Sequence, residues 1–156
     1  MQLSVAQAIE RATLEVFALM VGVEIVPEAE LHPGYNAPES NVVSSFKLSG
    51  AVRGTAEVFY TLALARRITC QMLQIDPPLD DADVLDAAGE VANMIVGNVK
   101  NSMENLWGAI HIGTPTVGLA PEGAGASQTM CVSFRCCEDV FTVSVAFKED
   151  PSRWQN

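Results

Sequence analysis

The sequence predicts an α+β domain in which helices pack on an antiparallel sheet. Three observations carry this reading: apolar residues recur at helical spacing near both ends of the first half and through residues 81–107, β-branched runs occur in pairs separated by short turns, and glycine and proline punctuate the boundaries. The 156 residues suit one domain, residues 1–156, and can bury roughly two thirds of the surface of the unfolded chain. With 49% hydrophobic and 18% charged residues the composition is that of a packed globular protein, far from that of a disordered chain.

Ser4 is placed to cap a first helix running to about Val21, because Val5, Ile9, Ala12, Val16, Phe17 and Met20 recur at three- and four-residue spacing while Glu10, Arg11 and Glu15 take the other side. Gly22 is its natural stop. Residues 28–40, with two prolines and a glycine, read as a surface loop. Residues 41–49 and 54–62 are β-branched and aromatic runs joined across 50–53, which suits a hairpin or its bulged variant. Residues 63–73 return to helical periodicity and end before the two prolines of the segment IDPPLDDAD, whose acidic cluster begins the next helix.

The longest element is expected from about Asp81 to Trp107. After Gly108 come short extended pieces, 109–112 and 116–120, then the Gly-rich PEGAGAS segment. Residues 129–137 and 140–147 alternate well enough for a second hairpin turning at Glu138-Asp139. In the stretch from Val140 to Val145 we expect an exposed sheet edge that pairing with a second copy would cover.

Nine basic against nineteen acidic side chains give a net charge of −10, a field that repels phosphate backbones and anionic lipid surfaces. Nucleic acid and membrane are therefore not expected as partners. No apolar run reaches the eighteen or so residues that span a bilayer, and the amphipathic N-terminus lacks the pattern of a signal peptide, so a cytoplasmic protein is expected. The four cysteines, Cys70, Cys131, Cys136 and Cys137, form no C-x-x-C pair and read as buried free thiols. His32 sits in the Pro-rich loop and His111 in a short apolar segment, a placement that suggests no metal site.

On the long helix, Val84, Leu85, Ala88, Ala92, Ile95, Val99, Met103 and Leu106 form one broad core-facing stripe. The opposite face holds Asp86, Glu90, Asn93, Gly97, Lys100 and Glu104, with Asp86, Glu90 and Asn93 within about 60° of one another. Such a stripe is ordinarily a solvated face. Asn93 and Gly97 argue against that, since Asn costs roughly 0.5 kcal/mol and Gly up to about 1 kcal/mol against Ala in a helix interior. Gly97 beside Asn93 leaves an open strip where another surface could come close.

The run Asp86-Ala-Ala-Gly-Glu90-Val-Ala-Asn93, followed after 21 residues by Pro115, resembles the D/S-x-x-x-E-x-x-N … P signature of the CheC, CheX and FliY phosphatases of bacterial chemotaxis. The segment LSGAVRGTAEVFYTLALARRITCQML is similar to the strand-turn-strand-helix that precedes this motif in CheX-like domains, so the likeness runs from about Ser40 to Phe147. CheC-type members tend to repeat the motif on their first helix. Here Ser4, Ala8 and Arg11 supply neither the Glu nor the Asn, which points to the single-site CheX type.

The resemblance implies hydrolysis of the phosphoaspartate of a CheY-like response regulator. It implies no cofactor of the chain's own, Mg²⁺ being supplied in the regulator's active site, and it implies a homodimer. Phosphoryl transfer is governed by positioning and electrostatics, and a carboxamide can hold an attacking water in line. Asn93 is the candidate: its amide is neutral at every working pH, both donates and accepts, and does not repel an anionic phosphoryl group. By resemblance Glu90 pairs with the regulator's lysine. Asp86 reads either as a docking contact or as a solvated carboxylate of the helix's early turns; Gly97 and Lys100 line the same partner-facing strip, and Pro115 shapes a loop. A competing class is a non-catalytic module that docks and sequesters a response regulator or flagellar switch protein, needing the exposed helix but not the amide of Asn93. A third, a metal or small-molecule enzyme, finds no ligand cluster, phosphate loop or Ser/His pair in the sequence.

Overall fold

The computed structural model describes residues 4–28, 41–119, 130–136 and 138–147. Within them the order is α1 (Val5–Val16), a π-helical turn (Phe17–Val21), β1 (Val26–Pro27), β2 (Asn41–Gly50), β3 (Gly54–Thr61), α2 (Leu62–Leu73), α3 (Asp81–Trp107), β4 (Ile110–Ile112), β5 (Thr116–Leu119), β6 (Met130–Cys136) and β7 (Asp139–Phe147). Of the expected loop at 28–40, residues 29–40 with His32 lie outside the described residues, as do the segment 121–127 and Cys137.

The local signals explain the boundaries. Ser4 caps α1 by accepting from the Gln7 N–H, while the Gln7 side chain accepts from the Ser4 N–H, a reciprocal capping box. Thr61 caps α2 through the Leu64 N–H at 3.0 Å, and Asp80 caps α3 through the Ala82 N–H at 3.1 Å. Asp81 and Asp83 fall in the first turn of α3, where the positive end of the helix dipole favours carboxylates.

The end of the first helix departs from the sequence expectation. Residues 17–21 form a π turn, closed by the Gly22 N–H on the Phe17 carbonyl at 2.8 Å, with Gly22 at φ 75°. The wider turn advances the phase by a residue, so Val21 rather than Met20 faces the core and Met20 is 46% exposed.

All pairings in the sheet are antiparallel, in the order β1-β6-β7-β3-β2-β4, with β5 also pairing with β2. The long strand β2 meets β5 along Val42 to Ser45 and β4 along Leu48 to Gly50. The expectation that Val140 to Val145 forms an exposed edge is overturned: β7 is an interior strand, flanked by β3 and β6, and Phe141 to Val145 are buried. Asp139 pairs with Cys136 and so belongs to β7, not to the turn expected at Glu138-Asp139.

One sheet face, with Phe46, Val58, Tyr60, Phe134, Phe141 and Val143, packs in a common core with the buried sides of α1, α2 and α3. Phe141 is its aromatic centre, stacked on Phe17 at 4.9 Å and on Phe134 at 5.2 Å between ring centroids. The opposite face has a small cluster of Phe59 and Cys131 with Val43. Cys131 and Cys136 are buried and Cys70 is half-buried, and none of the three is in a disulfide. On α3 the expected stripe is buried from Val84 to Met103, while Leu85 and Leu106 are only half-buried; Ala87, Val91 and Val96 are buried as well, because α1 and α2 both pack against this helix.

Candidate functional site

Packing of α3 on its wide apolar side fixes what its other side presents. Asp86, Glu90 and Asn93 are all exposed, one turn after another on a helix whose rotation is set by the buried Val84, Ala88, Ala92 and Ile95. No described residue hydrogen-bonds or ion-pairs with the side chains of these three.

The wall facing them comes from the segment that enters β5. Gly89 is buried on α3, and a Cβ there would lie 2.8 Å from Cγ2 of Val117 on β5. Glycine at this position therefore lets β5 lie directly on the helix, which brings Pro115, two residues earlier, to the rim. Asp86, Glu90, Asn93 and Pro115, floored by Leu85 and Val117, line a cleft of about 590 Å³.

On its other side Asn93 borders a second depression, also of about 590 Å³, with Gly97, Lys100, Leu19, Met20 and Ile112 among its walls. A Cβ at Gly97 would meet nothing within 4 Å, so the strip beside Asn93 is open, as its small side chain suggested. Lys100 is less available. Its Nζ lies 2.9 Å from Glu104 Oε1, and Glu104 Oε2 accepts the Ile110 N–H at 3.0 Å, tying the end of α3 to β4. That N–H, and then the Lys100 ammonium, hold the Glu104 carboxyl below the usual carboxylate range.

The six residues singled out from the sequence thus fall around two adjoining clefts that share Asn93: Asp86, Glu90 and Pro115 on one side, Gly97 and Lys100 on the other. Sequence reasoning missed Gly89, Leu19 and Met20. The first could be read only with the knowledge that β5 crosses at that turn, the other two only with the knowledge that the helix widens there.

Chemically, the arrangement offers a neutral amide and a carboxylate one turn apart on a well-packed helix, with space around both. Such a pair suits ordering a water and gripping a cationic group on a second molecule. Among the described residues no three His, Cys, Asp or Glu side chains converge to hold a metal ion.

The model of the family described as chemotaxis phosphatase CheX matches residues 42–135, the span from β2 to the end of β6 that contains all of α3. The chain belongs to the CheX family. It matches no curated protein sequence. Among solved structures, a candidate chemotaxis protein of Desulfovibrio vulgaris Hildenborough is 25% identical, with a TM-score of 0.77 over 92% of this chain and 96% of that one. A CheX of Desulfovibrio desulfuricans is 24% identical, with a TM-score of 0.76 over 92% and 99%. A CheX–CheY complex with BeF3 and Mg²⁺ from Borrelia burgdorferi is 17% identical, with a TM-score of 0.71 over 95% of this chain and 100% of that one. The latter two likenesses bear on the fold, which in the CheX family is thus the one described above. No described helix is long and apolar enough to cross a membrane.

Proposed function

We propose that this chain, with residues 1–156 as one functional unit, hydrolyses the phosphoaspartate of a CheY-like response regulator. The observation that carries the reading is the set of exposed side chains of Asp86, Glu90 and Asn93, without partners among the described residues, in one cleft of a CheX-family fold. The solved complex of a structurally similar CheX with CheY supports the class of partner.

In this reading the regulator's phosphoaspartate enters the cleft from the side that α3 presents. The Asn93 carbonyl accepts a hydrogen bond from a water and its NH₂ remains available as a donor, so the water is held in line with the scissile P–O bond. Water adds to phosphorus, the bond to the aspartyl oxygen breaks, and the regulator regains its carboxylate while phosphate leaves with the water's oxygen. When bound in the regulator's own site, Mg²⁺ would supply charge neutralisation for the phosphoryl group. Glu90, negatively charged, would repel the phosphoryl group if it faced it; paired with the regulator's lysine it anchors the two molecules instead. Asp86, a turn further back, adds a docking carboxylate, and Gly97 and Lys100 border the contact. Pro115, ahead of β5, shapes the opposite wall.

The same reading gives the chain a cytoplasmic setting and a homodimeric state. With β7 interior, the support for a dimer is the CheX type and not an exposed β7 edge; light scattering at micromolar concentration should return twice the monomer mass, and the monomer mass would refute it. The functional test is phosphate release from phosphorylated candidate regulators, followed against each regulator's own decay. Acceleration for at least one regulator is expected. Tight binding that leaves the decay rate unchanged would replace this reading with the sequestering module.

A further inference from the structure

Among the described residues the large exposed apolar side chains are Leu19, Met20, Val26, Leu73 and Ile75, and two of these stand side by side against the candidate site. Leu19 is 74% and Met20 46% exposed. Both belong to the π turn, which is pinned at each end: Phe17 is fully buried and stacked on Phe141, and Val21 is buried against the core. The turn is therefore anchored while its middle is presented outward. A π turn is uncommon and tends to occur where function needs a helix side chain re-aimed. A regular α-helical phase would have sent Met20 into the core, so the widening is what creates the patch.

We propose that Leu19 and Met20 form a second docking element for the response regulator, an apolar ridge that seats a nonpolar side chain of the regulator against the open strip at Gly97. This rests on the phosphatase reading and extends it to the other flank of α3. The occupant follows from continuity. Asn93 lines both clefts, so a protein that reaches Asn93 with a phosphoryl group also overlies the depression walled by Leu19, Met20, Gly97 and Ile112. A second copy of this chain seated there would cover Asn93 and close the site. Charge agrees: Glu15 stands on the same wall, Lys100 there is already paired with Glu104, and Asp86 and Glu90 line the adjoining cleft across Asn93, which fits a partner surface bearing an apolar residue among basic ones. The glycine at 97 leaves room for that residue, since nothing lies within 4 Å of where its Cβ would be.

The test compares wild type with Leu19→Ser, Met20→Ser and the double variant, each checked for an unchanged melting transition; both side chains are exposed, so folding should hold. Binding is read on a regulator loaded with Mg²⁺ and beryllofluoride, and turnover on the phosphorylated regulator. The double variant should bind at least about tenfold more weakly and raise KM in proportion, while kcat at saturation stays within about twofold, the pattern of lost uniform binding. If wild type turns over and depends on Asn93 but the double variant matches it in Kd and KM, the ridge proposal is overturned and the phosphatase reading stands. If the double variant instead changes the oligomeric mass with KM unchanged, the ridge belongs to a second copy and the proposal is equally overturned. If wild type neither binds nor dephosphorylates any regulator, both fail together.

Discussion

A methyl group at position 89 has nowhere to go, and one at position 97 meets open space, although both glycines lie on the same helix. Gly89→Ala gains about 1 kcal/mol of helix propensity but must displace Val117, an overpacking cost of roughly 1–3 kcal/mol, so a net loss of about 1 kcal/mol is expected in urea unfolding. Gly97→Ala should instead stabilise by up to about 1 kcal/mol, and if the regulator seats on this strip, it should weaken regulator binding. Glu90→Ala should lower both affinity and turnover, because in the proposed complex it removes the partner of a lysine. Much at this scale was legible: the spacing of Asp86, Glu90 and Asn93 alone put them on one face, and the structure leaves all three exposed there. Gly89 was not legible, since a glycine that admits a strand looks no different in sequence from one that admits a partner.

At the scale of elements, helix ends were readable wherever a side chain caps them. Ser4→Ala removes one half of the capping box that starts α1 and should cost about 1 kcal/mol in thermal or urea unfolding. The π turn escaped the sequence because helical periodicity assumes one rotation per residue throughout, and the added residue moved Met20 outward and Val21 inward. The position of β7 escaped for a different reason. Alternation tells which residues share a face of a strand, but β3 and β7 pair across some eighty residues of chain, and nothing local encodes that order. On the face opposite the helices, burial pushes the Glu57 carboxyl above its ordinary range. A folded-state value above the unfolded one means that the folded chain holds the extra proton, so this group's contribution to stability falls as pH rises from about 4.5 through the raised value. Glu57→Gln should flatten that part of the stability–pH curve, and an unchanged slope in urea melts across this range would count against it.

For the whole molecule the net charge of −10 is unevenly useful. Asp80, Asp81 and Asp83 open α3 and Asp86 and Glu90 continue it toward Asn93, so the helix that carries the candidate site is also an acidic ridge. Regulator association should therefore slow as salt rises from low to high ionic strength, while the rate of phosphate release from the preformed complex stays nearly constant. A second-order rate that is flat in salt would remove the acidic ridge from the docking account. Asn93 is exposed, has no partner among the described residues and borders both clefts. Its replacement by alanine should leave folding and regulator affinity close to wild type. The decisive measurement is the single-turnover rate of phosphate release from a phosphorylated regulator saturated with Asn93→Ala: a fall of roughly a hundredfold or more, about 2.7 kcal/mol of barrier, is expected, and a rate near wild type from the folded variant would contradict the assignment of the attacking water to this amide.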